Sequence, residues 1–204
     1  MSNAIAVAIT GASGVQYGLR LVESLLAAGE QVQLMLSQAG QVVVNMETDL
    51  ELPGRPQEIE GYLVERFACE SGQLTVYGRQ QWTAPVASGT NPPRAMVICP
   101  CTTGTLASVA NGICDDLIDR AADVALKEKR KLILVVRETP LSSIHLQNML
   151  TLSNAGAVIM PANPGFYFKP QRVEEVVDFM VARVLDHLGI QHSLMLRWGD
   201  PGES

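Results

Sequence analysis

The chain contains 204 residues, of which 47% are hydrophobic and 18% charged, a composition that fits one domain with a sizeable core. Acidic residues outnumber basic ones by 21 to 15, so the basic surface that binds nucleic acid or an anionic membrane is not expected. The most apolar uncharged stretch, residues 95–114, is interrupted by Pro100, Gly104 and Gly112, which argues against a membrane span. The first residues carry no positively charged leader, which predicts a cytoplasmic protein.

The first 77 residues alternate between apolar strand patterns and helical patterns. Each short apolar run is followed by a segment whose apolar residues recur at helical spacing, and glycine or proline separates the segments. In chain order the predicted elements are a strand over 4–9, a helix ending before Gly29, a strand over 31–36, a helix over 38–46, a helix around Ile59, Leu63 and Phe67, and a weak strand over 74–77.

The second half begins with a long loop over 78–93, and loops of this length are usually functional or located at interfaces. Residues 95–99, 131–137 and 157–160 are continuous apolar runs, typical of central strands buried on both faces of a parallel sheet. A helix over 116–128 and an amphipathic helix over 173–188 complete the pattern. It predicts a three-layer αβα sandwich with a doubly wound, mainly parallel sheet, either Rossmann-like or flavodoxin-like.

Polar residues follow the predicted strands, and ligands bind beyond the carboxyl ends of strands in such sheets. The turn over 11–14 opens a helix and either holds an anion such as a phosphate or is only a tight turn capped by Ser13. It lacks the glycine spacing of a dinucleotide site, and Ser37 stands where an NAD site usually has an acidic residue. FMN therefore fits better than a dinucleotide. The hydroxyl-rich turn over 102–105 offers further donors or caps the next helix.

Three basic residues are candidates for holding a second phosphate. Arg120 and Lys127 lie two turns apart on one predicted helix face, but pairs with Asp116 and Asp123 at spacing i,i+4 equally fit a solvated face. Arg183 borders an apolar stripe, so its head either reaches a partly buried site or extends into bulk water.

Two carboxylates are candidates for proton transfer. Glu138 follows a buried strand and precedes Pro140, where burial would make it a usable proton donor or acceptor near neutrality. Glu47 is either similar or an ordinary exposed carboxylate at a helix end. Cys99 and Cys101 form a C-x-C pair, but with no nearby histidine a buried strand end is favoured over a metal site.

Taken together, these motifs resemble those of the UbiX/Pad family of flavin prenyltransferases. The resemblance spans nearly the whole chain, and its specificity comes from the order and spacing of the motifs. The matching segments are TGASGVQYG (10–18), Ser37, ETD (47–49), ASG (87–89), CPCTTGTL (99–106), RAADVALKE (120–128), RETP (137–140), IHLQNM (144–149) and PANPGFYFKP (161–170).

The resemblance implies transfer of a dimethylallyl group from dimethylallyl phosphate to N5 and C6 of reduced FMN. The prenylated FMN would serve a UbiD-type decarboxylase, in ubiquinone biosynthesis, and no metal would be needed. Proton transfer would involve Ser13, Glu47 and Glu138. The residues implied to hold FMN are Gly11, Ala12, Ser13, Ser37, Thr102, Thr103, Gly104, Thr105 and Arg137. Those implied to hold the donor phosphate are Arg120, Lys127, Tyr167 and Arg183.

Assembly and two alternative functions complete the expectations. The uncharged run over 139–168 and the long loop predict more apolar surface than a monomer hides, hence a homo-oligomer. The resemblance implies, more specifically, a dodecamer with active sites at subunit interfaces. The chain is expected to form a single domain, 1–204, whose C-terminal helix and tail, 171–204, would contribute to the site and to assembly. The alternatives are a flavin-dependent decarboxylase and a non-catalytic FMN carrier.

Overall fold

The computed structural model describes residues 3–195, which form six strands and seven α-helices. The strands are β1 (Ile5–Ile9), β2 (Val32–Leu36), β3 (Leu74–Tyr77), β4 (Ala95–Cys101), β5 (Lys131–Val136) and β6 (Val158–Ile159). The helices are α1 (Val15–Ala27), α2 (Gln38–Glu47), α3 (Pro56–Phe67), α4 (Thr103–Ala110), α5 (Leu117–Lys127), α6 (Ser143–Asn154) and α7 (Val173–Leu188).

The strands form one sheet in the order β3-β2-β1-β4-β5-β6, and every pair of neighbours is parallel. This is the strand order of the Rossmann fold, whereas a flavodoxin-like sheet has the order 2-1-3-4-5. The predicted αβα sandwich is therefore confirmed, and the order selects one of its two variants. The chain reverses direction across the sheet between β1 and β4, so a crevice opens beyond the carboxyl ends of these two strands.

The sheet is buried on both faces because successive side chains of its strands point to opposite sides. Ile5, Val7 and Ile9 pack in one core with α1, α3 and α7. The alternate residues Ala6 and Ala8 pack in a second core with α4, α5 and α6. Two helical layers thus lie on opposite faces of the sheet. Side chains in different layers are therefore separated by the sheet within one chain.

Two details differ from the sequence prediction. Strand β4 continues to Cys101, so Pro100 and Cys101 belong to the strand and not to the turn after it. The loop over 78–93 is not structureless, because it contains a 3₁₀ turn at Pro85–Ala87 and lies along α5. The N–H of Leu117 donates to the carbonyl of Arg79 at 2.9 Å, and the Arg120 side chain donates to the carbonyl of Ala87.

Glycine permits two close approaches near the carboxyl ends of the strands. A Cβ on Gly18 would lie 2.2 Å from the carbonyl oxygen of Cys99, so α1 packs directly against the backbone of β4. A Cβ on Gly11 would lie 2.4 Å from the Cβ of Ala39, so the turn after β1 contacts the first turn of α2. Larger residues at either position would separate elements that line the crevice.

None of the helices within residues 3–195 is long and apolar enough to cross a membrane. The cytoplasmic location expected from the sequence stays a prediction.

Candidate active site

Three predicted residues meet beyond the carboxyl ends of β1 and β5. The guanidinium of Arg137 donates from Nε to the carbonyl of Ser13 at 3.0 Å. The Glu47 carboxylate, at the end of α2, accepts from the N–H of Gly14 at 2.8 Å and that of Val15 at 3.4 Å. Gly14 has a φ of 93°, a left-handed conformation that glycine adopts without steric cost. Ser13, Glu47 and Arg137 are called the carboxyl-end cluster below.

The electrostatics of Glu47 follow from this geometry. Burial acts to raise the pKa of Glu47, but hydrogen bonds from Ser13, Gly14 and Val15, together with the charge of Arg137, outweigh it. The pKa of Glu47 is therefore below its ordinary value, and the group is a carboxylate at neutral pH. This residue is half-buried and bonded to the turn after β1, so it is not an ordinary exposed helix-end carboxylate.

The same contacts change the interpretation of the glycine turn. The sequence allowed its N–H groups to hold a phosphate, because a helix begins there. In the structure the N–H groups of Gly14 and Val15 are occupied by the Glu47 carboxylate. A phosphate at these two N–H groups is thus a prediction that the structure does not support, and the negative charge favoured by the start of α1 comes from the chain itself.

The second helix at the crevice begins directly after β2. Ser37 caps α2, since its Oγ accepts from the N–H of Gly40 at 2.9 Å, and its own N–H donates to the carbonyl of Ile9. A Cβ on Gly40 would lie 2.5 Å from that same carbonyl. The start of α2 is therefore held against the end of β1, and Ser37 lies at the edge of the crevice.

The hydroxyl-rich turn starts α4. The Oγ1 of Thr102 accepts from the N–H of Thr105 at 3.1 Å, and its carbonyl accepts from the N–H of Leu106. The first N–H groups of a helix have no acceptor inside the helix. Within residues 3–195, no hydrogen-bond partner is recorded for the N–H groups of Thr103 and Gly104. Capping and anion binding are thus combined here, because Thr102 satisfies one donor while two remain open to a phosphate.

Glu138 lies at the other end of the crevice but is not desolvated. Its side chain is exposed and accepts from the N–H of Thr139 at 3.0 Å. It lines a cavity of about 220 Å³ together with Arg137, Met149 and Asn163. The burial expected from its sequence position is therefore absent within one chain, because the strand before it is buried whereas the turn that carries it faces outward.

Arg120 and Lys127 lie on α5, but their ion pairs are not those that the spacing suggested. Arg120 bonds Asp123 at 2.8 Å, and Lys127 contacts the neighbouring Glu128. Asp116 instead caps α5 by accepting from the N–H groups of Ile118 and Asp119, and it pairs with Arg79. The i,i+4 pairs are wrong because the carboxylate of Asp116 is directed to the backbone, and Asp123 pairs with Arg120 instead of Lys127.

The long loop contacts both of these cations, and the sequence did not predict this contact. The Nε of Arg120 donates to the carbonyl of Ala87 at 3.1 Å. A Cβ on Gly89 would lie 2.6 Å from the Nζ of Lys127 and 2.3 Å from a carboxylate oxygen of Glu128. The ASG segment (87–89) belongs to the motifs of the family resemblance, but neither this segment nor the length of the loop indicates which helix the loop contacts.

Tyr167 and Arg183 belong to the opposite layer. The ring of Tyr167 packs edge-on against Phe168 and Phe179, which are stacked on each other, and half of Tyr167 is exposed. Arg183 lies on α7, is exposed, and pairs with Asp186 at 3.0 Å. Its head therefore extends to the surface and does not reach a partly buried site within its own chain.

One chain does not bring the four candidate donor-phosphate residues together. Lys127 ends α5 four residues before β5 begins, whereas Arg137 directly follows β5. At about 3.3 Å per residue, the six-residue strand separates these positions by roughly 20 Å. Arg183 lies one helical turn before His187, and the carbonyl of His187 accepts from Lys131 at the start of β5. Arg183 therefore also lies toward the amino ends of the strands. The sheet itself lies between Arg183 and Arg120.

The apolar surface expected from the uncharged run is present in the structure. Helix α6 buries Met149 and Leu152, but Ile144, Leu146 and Leu150 are each more than half exposed. Phe166, in the same run, is 68% exposed. Apolar side chains of this size and number on one segment are typical of an interface with another protein or another copy of the chain.

A Rossmann-type sheet with a serine after β2 and open helix N–H groups after β4 is typical of a protein that binds a mononucleotide. A family model described as Flavoprotein matches residues 1–185. The flavin prenyltransferase UbiX of Pseudomonas aeruginosa is 56% identical over 196 residues, which are 96% of this chain and 94% of that protein. The chain belongs to the Flavoprotein family, within it to the flavin prenyltransferases of the UbiX type, so the expected family and enzyme class are confirmed.

Two solved structures are similar over almost the whole chain. The crystal structure of AnUbiX in complex with FMN and dimethylallyl pyrophosphate has 38% identity and a TM-score of 0.86, and the match covers 98% of each chain. The dodecameric FMN-dependent UbiX-like decarboxylase from Escherichia coli O157:H7 has 35% identity and a TM-score of 0.84, with 96% of this chain and 98% of that chain covered.

Proposed function

We propose that this chain transfers the dimethylallyl group of dimethylallyl phosphate to N5 and C6 of reduced FMN, and that the prenylated FMN is used by a UbiD-type decarboxylase in ubiquinone biosynthesis. The observation that carries the proposal is the carboxyl-end cluster beside the open N–H groups of α4. FMN as the flavin, which the sequence predicted, is confirmed by the family match and by the FMN complex of AnUbiX.

The residues of the crevice fit FMN. The N–H groups of Thr103 and Gly104 and the hydroxyls of Ser37, Thr103 and Thr105 provide donors for its phosphate. The turn over Gly11, Ala12 and Ser13 follows the neighbouring strand β1 and contacts Arg137 through the carbonyl of Ser13, so the flavin ring would lie against that turn. The negative charge of Glu47 at the start of α1 directs the phosphate toward α4, because two anions at one helix start would repel each other.

Bound reduced FMN supplies the nucleophilic atoms N5 and C6. Arg120, Lys127, Tyr167 and Arg183 would bind the donor phosphate and offset the charge that develops as the carbon–oxygen bond breaks. Glu138 would exchange a proton with the leaving phosphate and with N5, and Ser13 and Glu47 would relay it. These roles for the site residues rest on their positions and on the family resemblance.

A shared site follows from the separation of the phosphate-binding residues. Since the sheet separates Arg183 from Arg120 and Lys127, four residues can surround one phosphate only if neighbouring copies of the chain supply them. The exposed apolar residues of α6 provide a surface for such contacts. We propose a homo-oligomer, a dodecamer like the Escherichia coli relative, to which α7 contributes Arg183. The last part of the tail proposed to take part, residues 196–204, lies outside the described residues.

The test is a single-turnover reaction under anaerobic conditions. The protein is incubated with reduced FMN and either dimethylallyl phosphate or dimethylallyl diphosphate, and the flavin is analysed by mass spectrometry. A flavin heavier by one prenyl unit supports the proposal, and the two donors show which leaving group is accepted. Unmodified flavin with both donors would overturn the transferase and favour a decarboxylase or an FMN carrier. Addition of the product to an apo UbiD-type decarboxylase tests the partner, because only prenylated FMN should activate it.

A further inference from the structure

Thr10 is a buried polar residue with no assigned role at the point where the two halves of the sheet meet. It directly follows β1 and is 1% exposed. Its hydroxyl donates to the carbonyl of Pro100 at 2.7 Å and accepts from the N–H of Thr102 at 2.9 Å. Its backbone N–H also donates to the carbonyl of Pro100, at 3.2 Å. Thr10 therefore joins the end of β1 to the end of β4 through three hydrogen bonds.

A hydrogen-bonding side chain is needed at this place because the regular pairing stops there. The register of β1 with β4 ends at the pair of Ala8 and Ile98, and β4 is irregular between Ile98 and Cys101. Pro100 has no N–H to donate to a neighbouring strand. The N–H of Thr102 would be left without a partner in a half-buried position, and the Thr10 hydroxyl supplies the acceptor.

The next link runs from Thr102 to the start of α4. Thr102 is the cap of that helix, so the position of its backbone sets the directions of the N–H groups of Thr103 and Gly104. These are the open donors proposed above for the FMN phosphate. Thr10 is too deeply buried to contact a ligand in the crevice itself.

We propose that Thr10 is a positioning residue for FMN: its hydroxyl fixes Thr102 and thereby aims the first N–H groups of α4 at the FMN phosphate. This inference rests on the proposed function. It separates two tasks within the TGASG segment, since Ser13 faces the crevice whereas Thr10 acts from inside the sheet through the neighbouring strand.

The experiment compares FMN affinity in four forms of the full chain, measured by quenching of flavin fluorescence well below the thermal midpoint of each. Thr10→Val keeps the shape but removes the hydroxyl, and Thr10→Ser keeps the hydroxyl. Ile59→Val, on the buried face of α3, is the matched control for general destabilisation. Loss of the hydrogen bond that holds Thr102 should raise the FMN dissociation constant of Thr10→Val about tenfold.

The expected pattern is that Thr10→Ser and Ile59→Val stay within about twofold of the parent, and that KM for the prenyl donor is unchanged in Thr10→Val at saturating FMN. If Thr10→Val does not fold, Thr10→Ala is measured in its place with the same expectation. Parent-like FMN affinity in the variant that lacks the hydroxyl, or equal weakening in Ile59→Val, would overturn the positioning role. Failure of both hydroxyl-free variants to fold would also overturn it and leave Thr10 a structural residue.

The outcome for the parent separates this inference from the proposed function. A parent that binds no FMN would overturn both. A parent that binds and prenylates FMN, together with a Thr10→Val variant that binds it equally well, would overturn the role of Thr10 alone.

Discussion

The carboxyl-end cluster and the donor-phosphate residues are built in opposite ways. Ser13, Glu47 and Arg137 are joined by hydrogen bonds within one chain: Ser13 and Arg137 follow strands β1 and β5, and Glu47 ends α2. Arg120 and Arg183 lie on helices on opposite faces of the same sheet, and each guanidinium pairs with an acidic residue on its own helix. In the proposed site, the flavin half would therefore be preformed by folding, whereas the donor half would require neighbouring copies of the chain.

The largest expected effect tests whether Glu138 belongs to the chemistry. Glu138→Gln keeps the size of the side chain but removes its ability to exchange a proton at neutral pH. Adduct formation should slow by roughly 10²–10⁴, the usual size of a general acid–base contribution. Single-turnover rates measured at saturating FMN and donor give this factor, and FMN titration serves as the control for binding. A near-parental rate would remove Glu138 from the mechanism.

The donor half is tested by Arg183→Ala and Lys127→Ala. Each would remove a charged hydrogen bond that the proposed site gives to the phosphate, so KM for the donor should rise by about 10- to 100-fold while FMN affinity is unchanged. Steady-state kinetics and FMN titration measure the two quantities. Weaker FMN binding in either variant would show that these cations contribute to the flavin half, which would contradict the proposed division of the site.

Mixed assemblies test whether the residues of one site come from different chains. If one chain supplies Glu138 and another supplies Lys127 to each site, co-assembly of equal amounts of Glu138→Gln and Lys127→Ala should restore about a quarter of the sites, because each native residue is present with probability one half. The control is each variant assembled alone. No recovery in the mixture would show that both residues act within one chain.

Two carboxylates, Asp119 on α5 and Glu47 on α2, predict opposite dependences of stability on pH. Burial and the nearby Asp116 raise the pKa of Asp119, on α5, to about 6. Since an unfolded Asp has a pKa of about 3.9, the folded chain binds more protons between about pH 4 and 6, and the free energy of unfolding falls as pH rises through this window. Asp119→Asn should therefore be more stable than the parent at pH 7, by about 1–3 kcal/mol, and similar at pH 4.

The effect of Glu47 on the pH dependence of the free energy of unfolding has the opposite sign, because its folded-state pKa is lowered. Its contribution to stability is present above the unfolded pKa of about 4.3 and is lost as pH falls through the folded value. Glu47→Gln should lower the free energy of unfolding at pH 7 by about 1 kcal/mol, the size of a lost helix cap. Chemical denaturation of both variants at several pH values checks the two slopes, and slopes of the same sign would contradict the comparison.

The smallest expected effect concerns the loop beside α5. The added methyl group of Gly89→Ala would meet only the ends of two flexible side chains, so the fold should keep its stability within about 0.5 kcal/mol. The ammonium of Lys127 would be displaced, and KM for the donor should rise by about two- to fivefold. Gly61→Ala, with no atom within 4 Å of the added methyl group, is the control.

The sequence predicted the strands well because they depend on local pattern. Continuous apolar runs such as 131–137 mark central strands, and parallel topology brings the residues after them to one edge. The donor half was less predictable from the residues alone. Arg120 and Lys127 share a helix face whatever their partner is, so their spacing could not distinguish a solvated pair from a phosphate site, and the family resemblance had to supply the role.

Tertiary contacts account for the remaining misses. Glu138 is exposed although it follows a buried strand, since burial of a strand says nothing about the turn after it. The hydroxyl of Thr10 and the carbonyl of Ala87 act through partners 92 and 33 residues away in the chain. No periodicity links residues at such separations.

The Glu47 carboxylate at the start of α1 has a consequence for nucleotide selectivity. In Rossmann folds that use NAD, the N–H groups of the first helix bind the pyrophosphate that joins the two nucleotides. Here these donors already hold an anion that is covalently part of the chain, and it cannot diffuse away. A pyrophosphate bridge would have to displace Glu47 and approach its charge at close range, so occupied donors, and not the size of the crevice, would disfavour a dinucleotide here.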